Sequence, residues 1–203
     1  YLIISIVMMV IQYMLGPKLV EWSMRVKYLK REDNPKLFGM VESLSRRANI
    51  PMPRVGLAQI EIPNAFAFGR SLRDGRVCVT NGIISLLNEE ELAAVLGHEL
   101  SHLKNRDVLT ITLLSVIPMV MYRIAWQFLF YGRRREERGS NTMLIGLAAF
   151  LFYFLTNLLV LYASRIREYF ADRGSVALGN KPQAFASSLY KLVYGSARLN
   201  SEA

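Results

Sequence analysis

An apolar run at residues 143–163 has no charged side chain in 21 consecutive positions. An α-helix rises 1.5 Å per residue, so this run is long enough to cross a hydrocarbon core of about 30 Å. A second apolar stretch, residues 108–131, carries Pro118 and Arg123. A charge at mid-depth costs roughly 2.5–3.5 kcal/mol, which makes this second helix less favourable in a bilayer. Together the two stretches predict a transmembrane helical hairpin over residues 108–163.

The hairpin divides the rest of the chain into segments that we expect to act together. Residues 1–15 form an uncharged apolar run that starts with Tyr and is followed by Gly16-Pro17. This run predicts a truncated transmembrane helix. Residues 16–107 and 164–203 are polar and lie on either side of the hairpin. Two crossings return the chain to the side it left, so we expect these segments to form the two parts of one domain.

The polar segments combine helix and strand patterns, which predicts a mainly helical α+β fold. Residues 17–32 are typical of a basic helix, and Asn34-Pro35 offers an N-cap followed by a helix-starting proline. Asn88 and Glu91 have the spacing of a capping box that begins another helix. Short strands are predicted at residues 54–60, 65–68 and 76–80.

That last helix carries an HExxH motif formed by His98, Glu99 and His102. Residues four apart share one face of an α-helix, so both imidazoles reach one metal ion while Glu99 lies beside its open position. This arrangement is typical of zinc peptidases, in which a metal-activated water attacks a peptide carbonyl. The motif predicts a metal centre with a general base.

A catalytic zinc needs a third protein ligand, and the chain has no third histidine. We therefore expect a carboxylate, and Glu168 is the best candidate. Asp172 shares a helical face with Glu168 and is expected to accept a hydrogen bond from a ligand imidazole. Arg165 and Arg167 are predicted to anchor the helix at the membrane interface.

Three motifs give a family resemblance: PNAFAFG at residues 63–69, GHELSHLKNRD at 97–107 and SRIREYFAD at 164–172, the last following the hydrophobic hairpin. In this order they resemble an HtpX-type membrane zinc metalloprotease over about Pro17 to Leu199. The resemblance implies a gluzincin-like fold and one Zn²⁺ per chain. Family members usually have another N-terminal span and a C-terminal His-Pro-Pro segment, so we expect this chain to be a fragment.

The resemblance also implies a role for each site residue. The implied zinc ligands are His98, His102 and Glu168. Glu99 is the implied general base, and Asp172 is implied to orient a ligand histidine. The segment at residues 64–67 resembles the strand along which such proteases bind an extended substrate. Its residues are Asn64, Ala65, Phe66 and Ala67. The group that stabilises the oxyanion stays open among Tyr169, an arginine such as Arg165, and a more C-terminal segment.

The implied function is cleavage of misfolded or damaged membrane proteins at the cytoplasmic face of a prokaryotic plasma membrane. A net charge of +9 without a groove-reading motif favours the lipid bilayer over nucleic acid as partner. Four arginines at residues 132–138 lie in the hairpin loop, against the usual preference for basic residues on the cytoplasmic side. The alternative function is a non-catalytic zinc-containing membrane scaffold or chaperone-like binder. The sequence leaves the oligomeric state open.

Overall fold

The computed structural model describes residues 2–131 and 139–201. The arginine-rich loop at 132–138 lies outside the described residues. By contacts the chain divides into two units. We call Tyr1–Met14 with Leu109–Ile166 the apolar unit, and Leu15–Val108 with Arg167–Ala203 the sheet unit.

Long apolar helices make up the apolar unit. They are α1 (Leu2–Ser23), α5 (Asp107–Leu114), α6 (Val116–Trp126) with a π-helical turn at Gln127–Tyr131, and α7 (Gly139–Ala177); α1, α5 and α7 extend into the sheet unit. By length and composition, Asp107–Phe130 and Met143–Ala177 are each able to cross a membrane. The predicted helix end at Gly16-Pro17 is wrong, since α1 continues to Ser23. A proline inside a helix removes one backbone hydrogen bond without necessarily ending the helix.

The sheet unit is built on a four-stranded mixed sheet with the order β1-β2-β4-β3. Its strands are β1 (Val26–Tyr28), β2 (Arg54–Ala58), β3 (Ala65–Phe68) and β4 (Arg76–Thr80). β2 and β4 are parallel, whereas β1 and β3 pair antiparallel with their neighbours and form the two edges. The three predicted strands are confirmed, with β2 two residues shorter than expected.

Strand β1 replaces part of the basic helix predicted over residues 17–32. Arg25 adopts a left-handed backbone conformation (φ 47°), which ends the preceding helical turns. The chain then pairs with β2, with Val26 opposite Ala58. The helix prediction is wrong here because pairing with a distant strand overrides local propensity.

Helices α2 (Pro35–Ala48), α3 (Asn81–Leu86), α4 (Glu89–Lys104) and α8 (Pro182–Ser201) complete the sheet unit. The predicted N-cap of α2 is confirmed, since Asn34 Oδ1 accepts a hydrogen bond from the Leu37 amide at 3.1 Å. The capping box of α4 is also confirmed, because Asn88 and Glu91 each bond the other's backbone amide at 2.9 Å. The beginning of the HExxH helix is therefore fixed by local sequence.

The core of the sheet unit lies between the sheet and helices α2 and α4. Leu96 and Leu100 of α4 are fully buried, together with Val41 and Leu44 of α2 and Val77 of β4. Each such aliphatic side chain contributes roughly 1.5–3 kcal/mol through burial. One face of α4 is thereby held on the sheet, and the histidines lie on another. The mainly helical α+β prediction is confirmed.

Candidate metal centre

His98 and His102 lie one turn apart on α4, and their side chains are 13% and 19% exposed. Their Nε2 atoms are 3.1 Å apart. Oε2 of Glu168, on α7, lies 3.4 Å from the His98 Nε2 and 3.6 Å from the His102 Nε2. The structure therefore brings the three predicted metal ligands together.

The spacing of these three atoms matches a single zinc ion. Tetrahedral zinc with ligand bonds of about 2.0–2.1 Å holds its donor atoms about 3.3 Å apart. The observed separations of 3.1, 3.4 and 3.6 Å lie close to that value. Two imidazoles and one carboxylate are also a donor set that zinc favours in catalytic sites. The residues present thus fit the metal in both geometry and chemistry.

A close contact between α4 and α7 brings Glu168 to the histidines. A Cβ atom added to Gly174 would lie 2.7 Å from the Ser101 Cβ, so only a glycine allows the helices to approach this closely. Buried Ser175 donates a hydrogen bond from its Oγ to the Ala94 carbonyl oxygen at 2.6 Å. Small residues at the contact therefore set the position of the third ligand.

Each ligand histidine has a carboxylate next to its Nδ1 atom. The His98 Nδ1 lies 2.9 Å from Oδ1 of Asp172 but is not aligned for a hydrogen bond, so the structure shows the expected neighbour without the expected bond. The His102 Nδ1 is hydrogen-bonded to Oδ2 of Asp107 at 2.5 Å. Burial lowers the pKa of His98, and the neighbouring His102 lowers it further. This favours the neutral ring that binds metals.

Asp107 was not among the predicted site residues. It lies five positions after His102, beyond the end of α4, where the left-handed conformation of Arg106 (φ 54°) changes the chain direction. Arg167 Nη2 contacts Oδ1 of Asp107 at 2.8 Å, and the Arg167 side chain is only 13% exposed. The location of Arg167 at the membrane interface stays a prediction. The structure adds an ion pair that links Arg167 to Asp107.

Glu99 contacts the edge strand β3. Its Oε2 atom accepts a hydrogen bond from the Ala67 amide at 2.9 Å. Burial raises the pKa of Glu99 to about 7. A carboxylate with a pKa in this range is suited to exchanging protons near neutral pH.

The two ends of the predicted substrate strand, residues 64–67, have different neighbours. Ala67 lies beside Glu99, whereas the backbone of Asn64 bonds Thr80 through both its amide (2.9 Å) and its carbonyl (3.0 Å). Next to the histidines, Phe185 stacks on the His98 ring with centroids 5.4 Å apart. Phe185 also lines an open, largely apolar groove of about 540 Å³ that borders Asp172.

Comparisons with known proteins agree with this geometry. The pattern of peptidase family M48 matches residues 31–202. A protease HtpX homolog from Methanothermobacter thermautotrophicus is 49% identical over 193 residues, covering 95% of this chain and 72% of that protein. A protease HtpX homolog from Moorella thermoacetica is 39% identical, covering 95% of this chain and 66% of that protein.

A solved structure shows the same fold. The crystal structure of S. mikatae Ste24p superposes with a TM-score of 0.66 at 20% identity, covering 94% of this chain and 50% of that chain. The predicted HExxH zinc peptidase is thus confirmed at the level of the family. Given the family match over most of its length and a relative at 49% identity, the chain belongs to peptidase family M48.

Proposed function

We propose that this chain carries the catalytic centre of a membrane zinc endopeptidase. The observation that carries the proposal is the convergence of His98, His102 and Glu168 beside Glu99, with their three donor atoms 3.1–3.6 Å apart. Zinc bound there would polarise the scissile carbonyl and lower the pKa of its water.

The protein's own groups have separate tasks in this proposal. Glu99 accepts the water proton and passes it to the leaving amine. The Ala67 amide, 2.9 Å from Oε2 of Glu99, holds the carboxylate in place. Asp172 orients the His98 ring from its Nδ1 side.

We further propose that the edge strand β3 binds the substrate. β3 pairs with β4 on one side only, so its other edge offers backbone groups to an extended peptide, except for the Ala67 amide, which is bonded to Glu99. Such backbone pairing tolerates many substrate sequences, with Ala65, Phe66 and Ala67 next to the bound chain. Asn64 would contribute its side chain, since its backbone is bonded to Thr80.

The proposed setting is the plasma membrane, with the catalytic part facing the cytoplasm and misfolded or damaged membrane proteins as substrates. The membrane setting is supported by two helical stretches long and apolar enough to cross a bilayer, and the relatives named as proteases support proteolysis. Protease accessibility of residues 132–138 in sealed vesicles tests this orientation. Cleavage only from the side bearing the sheet unit would contradict a hairpin that spans the membrane.

The test of catalysis is casein cleavage by the purified, zinc-supplemented protein and its Glu99→Gln variant. We expect Glu99→Gln to bind zinc as wild type does but to lose at least 100-fold in turnover, as when a general base is removed. If wild type and variant bind zinc and are equally inactive, the non-catalytic scaffold is the better description. If wild type binds no zinc, the proposed metal centre is wrong.

A further inference from the structure

We infer that Asp107, held by Arg167, is a positioning residue that fixes the orientation and tautomer of the zinc ligand His102. This inference rests on the proposed zinc site and adds a support that neither the HExxH motif nor Glu168 and Asp172 contain.

The contacts of the Asp107 carboxylate are divided between two partners. Oδ2 lies 2.5 Å from the His102 Nδ1, while Oδ1 lies 2.8 Å from Nη2 of Arg167. Each oxygen thus has its own charged or polar partner, and the carboxylate cannot rotate without losing both. The His102 ring is correspondingly fixed, with its Nε2 directed to the His98 Nε2 and the Glu168 carboxylate.

The tautomer of His102 follows from this geometry. An ionised carboxylate only accepts hydrogen bonds, so the proton of the neutral imidazole must lie on Nδ1. The lone pair is then on Nε2, the atom that faces the other two ligand atoms. A ring without this acceptor would populate the other tautomer, in which a proton blocks the metal-binding position.

The burial of the Asp107–Arg167 ion pair indicates that it does more than stabilise the contact between α5 and α7. The side chains of Asp107 and Arg167 are 9% and 13% exposed, so both charges have lost most of their hydration. Buried ion pairs contribute little net stability compared with apolar residues of similar size. By contrast, Asp172 beside the other histidine is 46% exposed and less well aligned. Asp107 is therefore the better-formed of the two supports.

A purely structural role makes a different prediction. Asp107 is also the first residue of α5, where a negative charge stabilises the positive end of the helix dipole. In that case its removal would lower the melting temperature of the metal-free protein and leave zinc affinity unchanged. The two roles are separated by measuring both quantities on the same variants.

The experiment uses the full chain, purified in detergent, with zinc affinity measured by competition against a chromophoric chelator. We expect Asp107→Ala to weaken zinc binding 10- to 100-fold, the usual loss on removing a partner of a metal-ligating histidine. Asp107→Asn keeps an acceptor oxygen and the side-chain shape, so its loss should be smaller. Asparagine has nearly the same shape as aspartate, so Asp107→Asn still tests the effect on zinc affinity if the alanine variant does not fold.

Glu91→Gln is the matched control. Glu91 is a buried carboxylate on α4 with its own cationic partner, Lys191, at 2.7 Å. It lies about two turns from His98 and about three from His102, so we expect this variant to be less stable than wild type but unchanged in zinc affinity. The spectrum of the cobalt-substituted protein should change in Asp107→Ala and stay unchanged in Glu91→Gln, because the spectrum reports ligand geometry.

Arg167→Met tests whether the arginine acts through Asp107. We expect a weaker loss of zinc affinity than in Asp107→Ala, and no further loss when both substitutions are combined. Wild-type zinc affinity in Asp107→Ala, or in Asp107→Asn where the alanine variant does not fold, would overturn the inference while leaving the zinc site intact. Absence of zinc binding by wild type would instead overturn the proposed function.

Discussion

Gly174→Ala is expected to disturb the metal centre from outside it. The new Cβ would lie 2.7 Å from the Cβ and 2.3 Å from the Oγ of Ser101. Carbon atoms in ordinary contact are about 3.5–4.0 Å apart, so α4 and α7 must separate locally by about 1 Å. Zinc–ligand distances tolerate only about 0.2 Å. Glu168 lies less than two helical turns from Gly174 and must move with it.

Two opposing terms set the effect on stability. Alanine is favoured over glycine inside a helix by about 1 kcal/mol, whereas overpacking a well-packed contact costs about 1–3 kcal/mol. We expect a net loss of up to about 2 kcal/mol in the free energy of unfolding of the metal-free protein. Zinc affinity should fall at least 10-fold, because the displaced Glu168 no longer completes the ligand set.

Gly39→Ala is the matched control. Gly39 is also inside a helix, α2, but an added Cβ would meet no atom within 4 Å. It should therefore gain up to about 1 kcal/mol in stability and leave zinc affinity unchanged. Chelator competition and thermal unfolding measure both effects. Equal effects of Gly174→Ala and Gly39→Ala in both measurements would contradict the predicted clash with Ser101. Adding Ser101→Gly to Gly174→Ala should restore zinc binding, because it removes the clashing Cβ.

Two further predictions concern stability away from the metal. Burial alone would raise the pKa of Glu91, but the hydrogen bonds it accepts, above all from Lys191, lower it to about 2 from 4.5. The resulting contribution, at most about 3 kcal/mol and reduced by solvent at Lys191, is present above pH 4.5 and lost as pH falls towards 2. Urea unfolding of metal-free wild type and Glu91→Gln should therefore differ much less at pH 2.5 than at pH 6; a constant difference would contradict this. Arg47 donates to the Leu178 carbonyl at the end of α7 at 2.6 Å, so Arg47→Met should cost about 1 kcal/mol. Arg46→Met, whose side chain is 74% exposed, should cost less, and equal melting temperatures would count against the contact.

The features that the sequence predicted well depend either on residues close together in the chain or on the small number of residues able to bind a metal. The capping box of Asn88 and Glu91 spans only four residues of chain, and its geometry is found as expected. Glu168 was predicted because the chain has only two histidines, both already in the HExxH motif. The identity of a ligand is thus limited by which residue types remain available.

The features that were missed depend on contacts between distant residues. β1 forms because Val26 and its neighbours pair with β2, and nothing in residues 17–32 indicates that partner. The ion pair between Arg167 and Asp107 was also missed, because Asp107 lies 60 residues earlier in the chain. A charged residue on a helix shows its partner only when the tertiary structure is known.

Helix α7 acts on every ligand of the proposed zinc site, and this gives the variants an expected order. It supplies Glu168 directly, supports one histidine through Asp172 and supports the other through the Arg167–Asp107 pair. Removal of Asp107 affects one of these three connections, whereas a displacement of α7 at Gly174 affects all of them together. Gly174→Ala should therefore weaken zinc binding at least as much as Asp107→Ala, although the added Cβ would lie within 4 Å of neither histidine. The reverse order would mean that Glu168 adjusts independently of the helix that carries it.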